Sequence, residues 1–230
     1  MTPDELLTAV FQCSHCEGTR LPFVRSAPGK FYRFPPTIGS AGQAPLLFIG
    51  INPRVSESNH ALHQSIVTDH SAFVQLSKNR VGGQRYIGKF GLEKHYRLHA
   101  EVADALFPGA QFEDVAAVTE LHFCASETSA GLPSDSSRCA RRYLREVLQQ
   151  VSPTVVFAVG KHVECTLRTF FAGEGALVAV WPTGNAPIIA LPHPASFGPK
   201  LEVRALAITQ AALHLLARRE AQVGDGRLSG

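Results

Sequence analysis

No stretch of the 230-residue chain approaches about eighteen uninterrupted apolar residues, which excludes a membrane-spanning helix and leaves no membrane partner to expect. The opening residues Met1-Thr2-Pro3-Asp4-Glu5 lack the basic stretch and apolar core of a secretion signal, so the expected compartment is cytoplasmic. Internal repeats and low-complexity tracts are also absent, which removes repeat arrays from consideration. Nor does any segment match a dinucleotide fingerprint, a Walker phosphate loop or a nucleophile elbow, so neither a nucleotide cofactor nor serine hydrolysis is expected. Charged residues make up only 18% against 45% hydrophobic ones, an ordinary globular balance and not that of a disordered chain. The length suits one domain with a sizeable core, expected over residues 1–222 with a flexible tail at 223–230. Nothing in the sequence calls for an oligomer, and a monomer is expected. A cytoplasmic setting disfavours disulfides, so the five cysteines need another reason to be present.

The net charge of +3 conceals a partition. Between Arg20 and Arg97 lie eleven Lys or Arg and three acidic residues, a surplus of +8, while the remainder of the chain sums to −5. A basic half on a nearly neutral protein suits a face that meets a polyanion; a plain solvated surface fits the charge equally well.

The hydrophobic pattern alternates between two periods. Pro45 to Ile51 (PLLFIGI) is a continuous apolar run, as expected of a strand buried on both faces, and similar runs recur at Val115–Phe123, Thr154–Val159 and Pro187–Leu191. Between them lie helical patterns. In Asp135–Val151 one face gathers Leu144, Val147, Leu148 and Val151, and in Leu201–Ala221 another gathers Ala205, Ile208, Ala212 and Leu215. A first helix over Pro3–Gln12 has Thr2 as its cap, Pro3 at the first helical position and acidic Asp4 and Glu5 at its positive end. This predicts an α/β fold, a three-layer α/β/α sandwich around a central, mainly parallel four-stranded sheet. In such sheets ligands bind beyond the carboxyl ends of the strands. The residues to watch are therefore Gly50-Ile51-Asn52-Pro53-Arg54, the stretch from Glu120 to Cys124, Gly160, and His193 through Phe197.

Cys13 and Cys16 form a C-x2-C pair, and Cys124 and Cys139 are separated by fourteen residues. Four thiolates from two distant segments suit a tetrahedral zinc site or an iron–sulfur cluster, and five reduced thiols in the core or at the surface suit the spacing equally. Cys165 falls inside a helix, where a thiol is expected to pack as a small hydrophobe. His60, His63 and His70 are expected at the surface. Lys78, Arg80, Arg85 and Lys89 surround Gly82-Gly83 in a segment suited to phosphate contacts or to plain solvation.

Taken together, these residues resemble the uracil-DNA glycosylase superfamily. GINPR at 50–54 is similar to the first active-site motif, nearest to the GINPG or GMNPG form of its mismatch-specific and single-strand-selective branches. HPASF at 193–197 is similar to the second motif, usually HPS. The cysteine pattern, together with CARRYLREVLQQVSPTVVFAVGKH at 139–162, resembles the iron–sulfur branch. The likeness spans about residues 10 to 215.

The resemblance implies a DNA glycosylase that hydrolyses the N-glycosidic bond of a flipped, damaged base, with uracil the foremost candidate, in base excision repair. Asn52 would position the attacking water. His193 would donate a hydrogen bond to negative charge developing on the departing base. Gly50, Ile51, Pro53, Phe73 and Glu120 would line the base pocket, with Phe73 also suited to an ordinary core role. Ser196, Phe197 and Arg54 would contact single- or double-stranded DNA, Phe197 as an apolar wedge. Cys13, Cys16, Cys124 and Cys139 would hold a structural [4Fe–4S] cluster, with zinc as the alternative occupant.

Two departures bear on substrate. The iron–sulfur branch usually reads G-E-A-P-G where this chain has Gly50-Ile51-Asn52-Pro53-Arg54, so its water-positioning residue matches the other branches. Glu120 stands where relatives usually carry an Asn that accepts from uracil N3–H and donates to O4. A carboxylate accepts from N3–H but has nothing to donate. Either Glu120 is protonated, or it points away and a neighbour such as His122 reads the base, or the preferred base differs; a plain exposed strand-end residue also suits the position. These departures keep open a second reading, a nucleic-acid-binding module on the same fold that is inactive or differently specific.

Overall fold

The computed structural model describes residues 1–16, 25–27, 30–33, 35, 38–39, 44–51, 64, 68–78, 93–127, 139–171, 178–181, 184–193 and 200–225. The first helix, α1 (Pro3–Phe11), starts as expected: the Thr2 side chain accepts from the Glu5 amide at 3.2 Å while Glu5 accepts from the Thr2 amide at 2.7 Å. This reciprocal pair satisfies two orphan donors of the first turn. Leu6, Leu7 and Val10 turn inward from it.

A short antiparallel pair follows, β1 (Arg25–Ala27) with β2 (Lys30–Phe31), and then β3 (Ile38–Gly39). The four expected apolar runs become β4 (Leu46–Gly50), β5 (Ala116–Glu120), β6 (Val155–Val159) and β8 (Gly184–Leu191). They pair in parallel in the order β5-β4-β6-β8. Two antiparallel strands flank this centre, β3 beside β5 and β7 (Val178–Trp181) beside β8, so among the described residues the sheet has six strands. Their brevity hides them from periodicity. The run to Phe123 leaves the ladder after Glu120, although the Leu121 and His122 amides still donate to the Gly50 and Ile51 carbonyls at 2.9 and 3.0 Å.

Alternate residues of the central strands feed two cores. Leu47, Ile49, Ala117, Val156 and Ala158 face α1, α2 (His70–Lys78), α5 (Arg145–Val151) and α6 (Lys161–Phe171). Leu46, Phe48, Val118, Phe157 and Leu191 face α3 (Glu93–Leu106), the one-turn α4 (Phe112–Val115) and α7 (Lys200–Asp225). Phe48 and Phe157 stack on the second face, with ring centres 4.9 Å apart. Both are fully enclosed, so each contributes about 1.5–3 kcal/mol by burial. The three-layer α/β/α sandwich is therefore present, and its strands are apolar throughout because both faces are covered.

Local corrections follow from packing. The helix expected over Asp135–Val151 begins, in its described part, as a π-helical turn (Ala140–Leu144) that passes into α5 with Leu144, Val147, Leu148 and Val151 buried as expected. The last helix continues to Asp225, past the boundary expected at 222. Its buried line is centred on Ala207 and Ala211, whose small side chains let it lie close on β8, and Ala205 faces solvent. Cys165 does not pack. It is exposed, because α6 buries Val163, Leu167 and Phe171 and position 165 falls on the opposite arc. No helix among the described residues is long and apolar enough to cross a membrane.

Candidate active site

Two of the expected side chains stand at the carboxyl ends of the parallel strands, Glu120 against the end of β4 and His193 against the end of β6. Gly50 and Glu120 are register partners at the ends of β4 and β5. The Glu120 side chain lies back across Gly50: a Cβ built there would overlap Glu120 Oε2 and fall 2.8 Å from its carboxyl carbon. Only a residue without a side chain leaves that space. Glu120 is 4% exposed, and its Oε2 has no hydrogen-bond partner among the described residues. Burial in this setting pushes its carboxyl up from 4.5 to about 8.

β6 ends at Gly160, which turns at φ +95°, a conformation that favours glycine. Its amide donates to the Leu191 carbonyl at 2.7 Å, tying the end of β6 to the end of β8. His193, two residues further on, rests against Gly160, with its Cβ 3.4 Å from where a side chain would begin. It is partly buried. Because β4 and β6 are neighbours with backbones about 4.8 Å apart, the carboxyl and the imidazole lean over adjacent strand ends.

Tyr96 and His99 of α3 are buried on the same face, a contribution sequence reasoning missed. His99 meets Phe48 edge-on at 4.8 Å, and the rings of Tyr96 and His99 are 5.3 Å apart. The Tyr96 phenol is pushed far up, first by burial and then by the charge of Glu120, which places the two groups within electrostatic reach. The available signal was helical spacing: Tyr96, His99 and Ala103 share one stripe, and a histidine on a buried stripe marks a polar contact.

Other expected residues separate. Ile51 is half-buried and packs against the α1 face. Phe73 lies on the face opposite Glu120, fully buried in the core and edge-on to Phe11 at 5.2 Å. His70 is exposed and meets Phe11 at 5.0 Å. Asn52, Pro53, Arg54, His60, His63, Ser196 and Phe197 lie outside the described residues, as do Arg80, Arg85 and Lys89.

Cys13, Cys16, Cys124 and Cys139 lie within interaction range of one another. Cys13 and Cys16 follow α1, Cys124 follows β5 and Cys139 opens the π-helical turn. Cys16, Cys124 and Cys139 are buried and Cys13 is half-buried, all of them free thiols. Cys124 is hydrogen-bonded to Cys16, and Cys139 feels both Cys16 and Cys13. Burial is the main cause that pushes the Cys139 thiol up to about 12, and the Cys16 hydrogen bond with burial raises Cys124. Arg33, paired across a bridge to Cys124, donates to the Phe11 carbonyl at 3.0 Å and pins the end of α1. Among the described residues no three His, Cys, Asp or Glu side chains already converge on a single metal-ion position. The donor set is nonetheless of one soft chemistry, and thiolates here would need a cation to offset their burial.

A groove of about 500 Å³ opens at the other end of the sheet, between Pro45, Leu106, Thr154, Leu215 and Arg218. It sits at the amino ends of β4 and β6, away from Glu120 and His193.

Against known proteins, residues 36–204, most of the chain, match the family model described as the uracil DNA glycosylase superfamily. A glycine–tRNA ligase from Chlamydia trachomatis is 26% identical over 133 residues, which cover 56% of this chain and 13% of the ligase. So small a share of that enzyme carries none of its activity across.

Proposed function

The chain belongs to the uracil DNA glycosylase superfamily, and on that premise we propose that it hydrolyses the N-glycosidic bond of uracil flipped out of DNA, in base excision repair. The observation that carries this reading is Glu120 and His193 leaning over adjacent strand ends of the parallel sheet, at the two places where the family's motifs bear on the base.

In the proposed reaction the bond between C1′ and the ring nitrogen breaks with its electron pair leaving on the base. Charge gathers chiefly on O2 of uracil, where the His193 imidazole donates a hydrogen bond. That interaction exists in full only as the bond breaks, so it lowers the barrier without tightening the ground state. A water held by Asn52 attacks C1′, and the proton it loses balances the one the departing base gains. The products are free uracil and an abasic site. Asn52 needs only to orient this water, because the sugar is oxocarbenium-like and a strong base is not required. Ser196, Phe197 and Arg54 take the DNA contacts, and the surplus of +8 between Arg20 and Arg97 supplies a phosphate-facing surface.

Cys13, Cys16, Cys124 and Cys139 fit a [4Fe–4S] cluster better than zinc in this reading, by likeness to the iron–sulfur branch. Bound, such a group would clamp the end of α1 to the chain beyond β5 and to the π-helical turn. Its contribution is architectural, and no step of the hydrolysis passes through it.

The test is incubation with single- and double-stranded oligonucleotides carrying one uracil, followed by alkaline cleavage of abasic sites. Cleavage at the uracil, lost in His193→Ala with DNA affinity retained, supports the reading. Glu120, where relatives carry Asn, favours the rival of an inactive or differently specific binding module. Salt-sensitive DNA binding without cleavage at uracil, xanthine or hypoxanthine would establish that rival.

A further inference from the structure

We propose that Glu120 reads the flipped base as a neutral carboxylic acid, its hydroxyl donating to a ring carbonyl and its carbonyl oxygen accepting from the adjacent ring N–H. The pocket would then select bases with that lactam edge, and loss of one proton from the protein would close it. The inference rests on the glycosylase reading above and says what the recognition group is.

Position comes first. Glu120 does not point away from the site, one of the alternatives its sequence position leaves open. It lies on Gly50, the first residue of the G-I-N-P-R motif and the last of β4. The glycine is what admits it: any side chain at position 50 would occupy the space of the carboxyl group.

The second ground is an unused hydrogen-bonding group. Buried carboxyl oxygens normally have partners, because leaving one bare costs about 1–3 kcal/mol. Glu120 Oε2 has none among the described residues and is almost wholly enclosed. A ligand at the strand ends would complete it.

The charge state follows from the surroundings. Among the described residues, Tyr96 of α3 is within electrostatic reach of the carboxyl, with His99 beside Tyr96; His122 lies two positions further along the chain, and His193 stands just beyond the end of β8. The guanidinium of Arg204 on α7 is engaged by Glu101 at 2.9 Å. No opposing charge among the described residues offsets burial, which is why the group holds its proton up to about pH 8.

The chemistry then closes. A neutral acid presents one donor beside one acceptor, the same pair as the amide found in relatives, and matches uracil N3–H and O4. The carboxylate presents two acceptors, and one of them would face O4 without a proton between.

Single-turnover excision from a single-stranded uracil oligonucleotide, followed from about pH 6 to about pH 10, tests this in wild type and Glu120→Gln. The wild-type rate is expected to be level below about pH 8 and to fall about tenfold per unit above it, as one proton is lost. Glutamine keeps a donor beside an acceptor, so Glu120→Gln stays active and lacks that limb. Deprotonation of uracil itself appears in both proteins and cancels in the comparison. A second measurement needs no activity: the carboxyl carbon resonance of ¹³C-glutamate-labelled protein that disappears in Glu120→Gln should titrate near pH 8. Superimposable pH profiles, or a Glu120 resonance already ionised at pH 6, would overturn the inference and leave the glycosylase reading standing. No excision by either protein at any pH would overturn the glycosylase reading and this inference with it.

Discussion

Gly50→Ala is a one-carbon change whose effect is set by a single neighbour. The added Cβ would overlap Glu120 Oε2 and lie 2.8 and 3.0 Å from the carboxyl carbon and the other oxygen. Gly50 is otherwise an ordinary strand residue without a positive φ, so alanine meets no backbone objection. Glu120 is only 4% exposed, so making room for the new carbon means shifting a buried side-chain end. Overpacking of this kind typically costs about 1–3 kcal/mol. In a Glu120→Ala background the obstacle is gone, and Gly50→Ala should be neutral or stabilising by up to about 1 kcal/mol, because alanine restricts the unfolded chain. The sign of the effect therefore reverses between backgrounds. Urea unfolding of the four proteins of this double-mutant cycle measures it, and a coupling of about 1–3 kcal/mol is expected. Additive changes would refute the claim that Gly50 exists to seat Glu120.

Other outcomes follow from the same structure. Glu120→Gln should gain stability relative to wild type as pH rises from about 4.5 to about 8. The folded protein holds a proton there that the unfolded chain has released, so wild-type stability is fullest below the unfolded value and falls by up to about 1.4 kcal/mol per unit across that window; equal urea midpoints across it would contradict a buried, proton-holding carboxyl. His193→Ala should lower the single-turnover rate about 10²–10³-fold with little change in DNA affinity by fluorescence anisotropy. Anaerobically purified protein should be brown and contain iron, whereas Cys139→Ala should lose both and melt at a lower temperature; a colourless protein with one zinc would replace the cluster by an ion. Phe157→Ala should cost about 3–5 kcal/mol in urea unfolding, since its ring is fully enclosed and stacked on Phe48.

The parallel centre of the sheet was legible because each of its strands is covered on both faces and reads as an unbroken apolar run. Val155–Val159 and Leu46–Gly50 fall within a residue or two of their expected limits. The edge strands β3 and β7 were not legible: two and four residues long, they owe their place to a neighbouring strand and not to their own pattern. α1 was readable to its cap because Thr2 and Glu5 satisfy each other locally. Cys165 and Ala205 were misplaced for the opposite reason. Which arc of a helix is buried depends on what it packs against, and on α7 the closeness of β8 selects Ala207 and Ala211. At the site, the motifs marked Gly50 and His193, the likeness to relatives singled out Glu120, and the cysteines were grouped by their resemblance to the iron–sulfur branch and not by spacing alone. What no motif carried was the direction of a side chain. Glu120 folding back over Gly50, Phe73 turning into the opposite core and Tyr96 approaching from α3 each follow from tertiary packing.

The most direct test of the central claim is to count products. Protein at a concentration above that of a single-uracil oligonucleotide should release free uracil, quantified by chromatography, in one-to-one ratio with the abasic sites revealed by alkali, and His193→Ala should release almost none in the same time. Intact oligonucleotide bound to protein, with no free base at any time, would contradict the account.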